Sequence, residues 1–422
     1  MKAEKENLNK ENLNKENLEK ASLIDYGIFA LLLLVTLAVT FALFYRQCVE
    51  SMLASGLYHS DMKAYILEMQ GLDSGYSFPY PILFKTAAFF HLFTGPEAAM
   101  AIATTLLNGL GILVTKLALN RLALKELAGR FSGREWIAGA LLSLTAVSLF
   151  FISMVYPPAG IYLPGIKYNY LGVFTANPFH NATYMAARPF AILAFLWYVR
   201  LLDTYEQGGD KKDYILFAIF LLLATMTKPS FTIVLVGAAG LIMLYRLFRS
   251  GFKSLKNTVL LGLTFIPTFA DLLYQFKGVF VPAEGAEGGI GFCLGDIWRL
   301  YCDNIPLAVG LAVGFPILVL VLNYRELQND TLYRFSWQIY LMSFAMAFLL
   351  YEKGFRAPDF NFSWGYMYGI FFAFLGSVTV LWRATAAGKR PLLLGIQWLA
   401  FAWHLLSGLY YFYGILQGKM YY

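Results

Sequence analysis

Apolar residues gather along this chain in runs of about 15–25 positions, divided by polar connectors. Such runs match the length needed to cross a hydrocarbon layer of roughly 30 Å. Lipid offers no partners to the backbone, so a run of this kind folds as a helix that satisfies its own amides. The pattern predicts eleven spans, at 27–45, 97–119, 136–155, 184–202, 214–227, 229–248, 257–276, 305–323, 335–352, 364–383 and 391–413. Only Lys228 and Pro229 part the fifth from the sixth, which makes those two a tight hairpin. The expected fold class is therefore all-α: a polytopic membrane protein whose single transmembrane domain occupies 23–422 and whose first 22 residues form a disordered cytoplasmic tail. In that tail KENLN, KENLN and KENLE put Leu8, Leu13 and Leu18 five residues apart, a period that fits neither a helix face nor a coiled-coil seam.

Composition strengthens this reading. Apolar residues are 59% of the chain and charged residues 14%, against roughly 25% charged in a soluble domain. The net charge of +7 would suit nucleic acid in a soluble protein. Here the lysines and arginines concentrate in short alternate connectors such as 249–257 and 383–390, which makes them topology signals and argues against a nucleic-acid partner. By the positive-inside bias the amino terminus is cytoplasmic, the carboxyl terminus is outside, and the long connectors face outward. The first apolar run has no small-residue cleavage site behind it and reads as an uncleaved helix. Cys48, Cys293 and Cys302 form no CxxC pair, so no zinc or thioredoxin-like site is indicated, although Cys293 and Cys302 share one outer loop.

Unusual side chains collect in the outer loops. In the first, spanning 46–96, Met62, Tyr65, Ile66 and Met69 fall on one helical face behind Ser60 and Asp61, as in an interfacial amphipathic helix with a capped start. A YPYP-type turn containing Tyr80 follows, and Ile82 to Phe93 forms a second apolar segment too short to span. His59 precedes Asp61 by two residues. At the mouth of the fourth span lie His180 and Asn181, with Arg188 just inside before Pro189, a proline that predicts a bent helix. Asn181-Ala182-Thr183 also spells a glycosylation sequon, discounted for its closeness to the membrane. Lys228 tips the hairpin. Glu352, Lys353, Arg356, Asp359, Asn361 and Trp364 crowd between two very apolar helices, where ionisable groups are functional candidates. The bland alternative for that loop is self-pairing, Glu352 to Arg356. The glycine-rich stretch 277–304 reads as a mobile lid with spare acids Glu284, Glu287, Asp296 and Asp303.

One inside-to-outside helix, a large outer loop with an acid just past the membrane (Asp61), two interfacial helices and a YPYP-type turn before the second span: this arrangement resembles the GT-C superfamily of polyprenyl-phosphate-sugar-dependent glycosyltransferases. Its bacterial members similar to protein mannosyltransferases and arabinosyltransferases are the nearest likeness. Family members often carry two adjacent acids where this chain has Ser60-Asp61. The resemblance implies an enzyme of the bacterial plasma membrane. It would take a sugar from a polyprenyl-phosphate donor to a glycan, lipid or protein acceptor outside, inverting the anomeric carbon, with membrane lipids as surroundings. Asp61 would be the base. Arg188, Lys228 and Arg356 would hold the donor phosphate, with or without a divalent cation. His59, Tyr80, His180, Asn181, Glu352, Asp359, Asn361 and Trp364 would complete the substrate site. A transporter or flippase of lipid-linked glycans, or a polysaccharide polymerase or ligase, would use similar loops. A transporter should show internal repeats and polar groups at the midplane, and here those groups are few: Asn108, Asp271 and His404.

Overall fold

The computed structural model describes the backbone of residues 2–51, 56–156, 174–279, 288–354, 356–388 and 390–419, without the side chains of 2–21 and 277–279. Glu284, Glu287 and the whole stretch between Tyr156 and Phe174 therefore lie outside the described residues.

The protein is an all-α polytopic membrane protein. Helix α1 runs Lys2–Glu50; α2 (Met62–Gln70) and α3 (Ile82–His91) follow, then α4 (Pro96–Leu119), which continues through a π-turn into α5 (Lys125–Ala128). After α6 (Trp136–Phe151) come α7 (Ala182–Thr204), α8 (Lys211–Thr227), α9 (Ser230–Arg249), α10 (Leu255–Leu263) and α11 (Ile266–Val279). The short α12 (Asp296–Arg299), α13 (Ile305–Leu322), α14 (Glu326–Asn329), α15 (Thr331–Leu349), α16 (Ser363–Ala387) and α17 (Pro391–Leu416) complete the chain. Among the described residues seven helices are long and apolar enough to cross a membrane, and eight if α10 and α11, bent by 45° at their junction, count as one span. Helices occupy the other three expected positions too. Of these, α6 and α8 are short, with 16 and 17 residues.

Local chemistry sets the helix ends. Asp210, Asn304 and Asp330 accept backbone N–H bonds at the starts of α8, α13 and α15, as caps should. Gly71 and Gly388 end α2 and α16 at φ of 71° and 67°, the left-handed turn that favours glycine. The expected hairpin is present: α8 and α9 are joined through Lys228, whose backbone is extended, and Pro229. Helix α7 runs through Pro189 as one element. Val313 in α13 leaves helical geometry (φ −128°, ψ 28°) ahead of Pro316. The Phe315 N–H donates to Nε2 of His404, 3.1 Å away, and His404 Nδ1 donates to Ser153 O at 2.7 Å. His404 is thus a neutral bridge between helices.

Two expectations need correction. The third span was to run to 155, but α6 stops at Phe151. Beyond it an extended segment threads between α13 and α17: Ser153 N–H donates to His404 O, and Val155 N–H to Leu311 O. Non-helical backbone survives at this depth because neighbouring helices satisfy it. The described part of the glycine-rich stretch is also anchored. Ile290–Phe292 forms strand β1, antiparallel to β2 (Leu350–Glu352), with Ile290 opposite Glu352. Cys293 and Cys302 are unbonded to each other.

Helix α16 is the centre of the packing, with nearly every residue from Ser363 to Trp382 buried. Glycines set its close approaches. A Cβ on Gly369 would lie 1.9 Å from Ser343 Oγ, and one on Gly376 2.3 Å from Ser336 Oγ, so α15 packs directly on the α16 backbone. The two ends of the bundle are distinct. At one, Lys116 of α4 donates to both oxygens of Asp25 on α1 (2.9 and 3.0 Å) and to Gly139 O on α6, fully buried. From Asp25 to Glu50 helix α1 rises about 38 Å, delivering the chain to the other end. There the carboxyl-terminal end of α17 also arrives, with Gly418 O accepting the Tyr58 N–H.

Candidate functional site

Five separated stretches converge at that second end: the segment before α2, the turn before α3, the start of α7, the tip of the α8–α9 hairpin, and the start of α16. Asn181 is the hub. Its side-chain Oδ1 caps α7 by accepting from Tyr184 N–H (2.9 Å). The same oxygen takes the Thr183 hydroxyl (2.9 Å) and Lys228 Nζ (3.3 Å). Its Nδ2 donates to Asp61 Oδ2 at 2.7 Å. One amide therefore holds a carboxylate on its nitrogen side and an ammonium on its oxygen side.

Asp61 sits at the N-cap position of α2, yet its side chain makes no capping bond. Ser60 Oγ takes the Met62 N–H instead, at 3.4 Å. The bland expectation for Asp61, a helix cap, is thereby overturned. The carboxylate turns toward α7, where Oδ2 accepts from Asn181 and from the Tyr65 hydroxyl (3.2 Å). Both bonds fall on Oδ2, so Oδ1 has no hydrogen bond from any described residue. The Asp61 N–H is tied to His180 O at 3.3 Å, which fixes the first loop against the start of α7. Burial pushes the Asp61 carboxyl above the usual range, opposed by Lys228, by the bonds from Tyr65 and Asn181, and by His59. A raised carboxyl is suited to taking up a proton.

Lys228 is buried, 7% exposed. Its ammonium bonds two neutral oxygens, Asn181 Oδ1 and Thr183 Oγ1 (3.2 Å), and among the described residues no carboxylate is within ion-pair distance. Its remaining support is aromatic: Nζ lies 4.7 Å from the Trp364 ring centre and 5.8 Å from that of Tyr80. Removing an ammonium from water costs several kcal/mol. Two dipoles and a cation–π contact of about 2 kcal/mol offset only part of it. Burial, partly countered by Asp61, lowers the Lys228 pKa to about 8. The ammonium thus has neutral oxygens, aromatic faces and the nearby Asp61 charge as its surroundings, with no direct ion pair among the described residues.

The last loop reaches the site through Trp364. Glu352 Oε2 accepts from Asn361 Nδ2 (2.8 Å), and Asn361 Oδ1 accepts from Trp364 Nε1 (3.2 Å). This chain orients the indole over Lys228, beside the rings of His180 (5.6 Å) and Tyr184 (5.9 Å). Arg356 is self-paired, with Nε 3.1 Å from Asp359 and 3.7 Å from Glu352. It forms the rim of the site, and Asp359 lies outside it, exposed. Phe360, just before α16, is buried at φ 53°, a left-handed conformation rare for an aromatic residue and held by stacking on Tyr301.

The structure thus brings together His59, Asp61, Tyr80, His180, Asn181, Lys228, Glu352, Arg356, Asn361 and Trp364. It sets Arg188 apart. That guanidinium is 3% exposed, donates to Asn177 Oδ1 and Ala176 O, and lies 4.7 Å over the Phe371 ring, so it pins the segment leading into α7. His180 is held neutral by burial, its pKa lowered to about 3. Sequence reasoning missed Tyr65 and Thr183, whose hydroxyls bond each other at 3.2 Å while bracing Asp61 and Lys228. Tyr65 is a plain member of an apolar face, and Thr183 carried only the signal of a discounted sequon. Among the described residues no group of three His, Cys, Asp or Glu side chains converges. No protein-family model matches the chain, and comparison with the curated proteins gave no match.

Proposed function

We propose that the protein is a membrane glycosyltransferase of the GT-C kind. It moves a sugar from a polyprenyl-phosphate donor to an acceptor hydroxyl at the outer face of a bacterial plasma membrane. The observation that carries this reading is the Asn181 amide, which holds a carboxylate with an open oxygen and an ammonium with no direct ion pair side by side. Glycosyl transfer from a lipid phosphate needs that pair. The acceptor hydroxyl hydrogen-bonds to Asp61 Oδ1 and gives up its proton as its oxygen attacks the anomeric carbon. The bond from that carbon to the phosphate oxygen breaks, and the lipid phosphate leaves with an added negative charge. Lys228 meets that charge from a site with little water, where it is worth most. Trp364 and Tyr80 offer ring faces to the apolar side of a sugar. Inversion at the anomeric carbon follows from a single displacement.

The test is transfer of labelled sugar from polyprenyl-phosphate donors in membranes holding the wild-type chain, Asp61→Asn or Lys228→Met. Loss of transfer in both variants at normal expression supports the enzyme. Full transfer by Asp61→Asn removes the base and the reading with it. Movement of intact lipid-linked glycan across proteoliposomes, without transfer, would favour a flippase.

A further inference from the structure

A second feature lies at the opposite end of the bundle, between α9 and α15. Near the candidate site these helices touch: a Cβ on Gly237 would meet Met346 Cε at 2.7 Å and Met342 Sδ at 3.1 Å. Toward Arg249 they part, and a cavity of about 950 Å³ opens between them. That volume is at the upper end of ordinary ligand sites, roughly 300–1,000 Å³. Small residues, Ala238 and Ala345, lie on its walls, and Leu241 and Leu341 beside them are about 60% exposed in the middle of apolar helices. The other end of the cavity is cationic. Arg246, Arg249 and Arg334 line it against a single acid, Glu206. Arg246 is held by Glu206 (3.6 Å) and Leu202 O, and Arg334 donates to Leu327 O and Gln328 O (both 3.1 Å). Arg249 is exposed and bonds no described side chain.

We infer that this cleft binds an anionic membrane lipid, with its phosphate among the three arginines and its chains along the Leu241 and Leu341 walls. The shape is amphiphilic in the required order, charged at the bundle end and apolar toward the bilayer interior. A soluble anion would leave the apolar part unfilled, and an uncharged lipid would leave the arginines unbalanced. The inference does not depend on glycosyl transfer, because the cleft is at the far end of the helices that carry Lys228 and Glu352.

Native mass spectrometry of the full chain in neutral detergent tests it, with phosphatidylglycerol, phosphatidylcholine and inorganic phosphate as probes. Phosphatidylglycerol should bind at least about fivefold more tightly than phosphatidylcholine, and Arg249→Gln should erase about that factor. Ala345→Phe, which fills the cleft from its apolar side, should remove binding altogether. Arg249 supports no internal contact, so its variant keeps the test decisive if Ala345→Phe fails to fold. Equal binding of the two lipids, or undiminished phosphatidylglycerol binding by Arg249→Gln, would overturn the inference. Displacement of the lipid by millimolar inorganic phosphate would assign the arginines to a free anion and overturn the lipid as occupant.

Discussion

Asn181 shows how much one side chain can organise: the cap of α7, the carboxylate of Asp61 and the ammonium of Lys228 all depend on its two polar atoms. Asn181→Leu should therefore lower sugar transfer by at least about tenfold through misplacement, with less effect than removing the base itself. Asp61→Asn should cost about a hundredfold or more, the usual scale of general-base loss. The pH profile separates these roles. Burial raises the Asp61 carboxyl, so the base form appears on a rising limb above the ordinary carboxylate range. Burial lowers the Lys228 pKa to about 8, so the charge proposed to hold the phosphate should be lost on a falling limb there. Steady-state rates between pH 5 and 10 should trace that bell. Lys228→Arg, whose guanidinium stays charged, should abolish the falling limb, and a limb unmoved by that change would detach Lys228 from the reaction.

Among the elements, α16 matters most, since its first turn presents Trp364 and its glycines receive α15. A side chain at Gly369 must displace Ser343. Gly369→Val should destabilise the protein by about 1–3 kcal/mol, the usual range for overpacking, seen as a lower thermal midpoint in detergent. It should also weaken transfer, because Trp364 is anchored about one and a half turns away. The hairpin between α8 and α9 was legible in the sequence because two turn residues between two apolar runs permit little else. The end of α6 was not. A run of apolar residues through 155 reads as helix, and only carbonyls of α13 and α17 and the side chains of His404 and Ser407 tell residues 152–156 to leave it. Strand β1 was hidden for the same reason: its partner β2 lies about 60 positions away.

For the whole molecule, two polar clusters at opposite ends of an apolar bundle define its axis. The Lys116–Asp25 pair, buried and shared with Gly139 O, staples α1, α4 and α6 together. Lys116→Met leaves Asp25 uncompensated and should cost about 3–5 kcal/mol, measurable as lost folded yield and thermal midpoint. Sidedness can be read directly. With the three native cysteines replaced, single cysteines at Asp73 and Lys353 should react with an impermeant maleimide from outside intact cells, and one at Arg130 only after permeabilisation. The reverse result would turn the site inward and end the proposal of an outer-face transferase.

The chain by itself determined its solvent and its class. A backbone carried in apolar runs of this length can satisfy its amides only as helices in lipid, and that follows from composition and spacing alone. It also marked the acids, amides and cations stranded between those runs, because charge near a membrane is costly enough to stand out. What it left open was which of them meet. Asp61 and Asn181 are 120 positions apart, and Asn181 and Lys228 another 47. Only the packing of α7 against its neighbours brought them within bonding distance while turning Arg188 to a structural task. Hydrogen bonds act over about 3 Å, and no pattern along the chain carries that information until the helices are placed side by side.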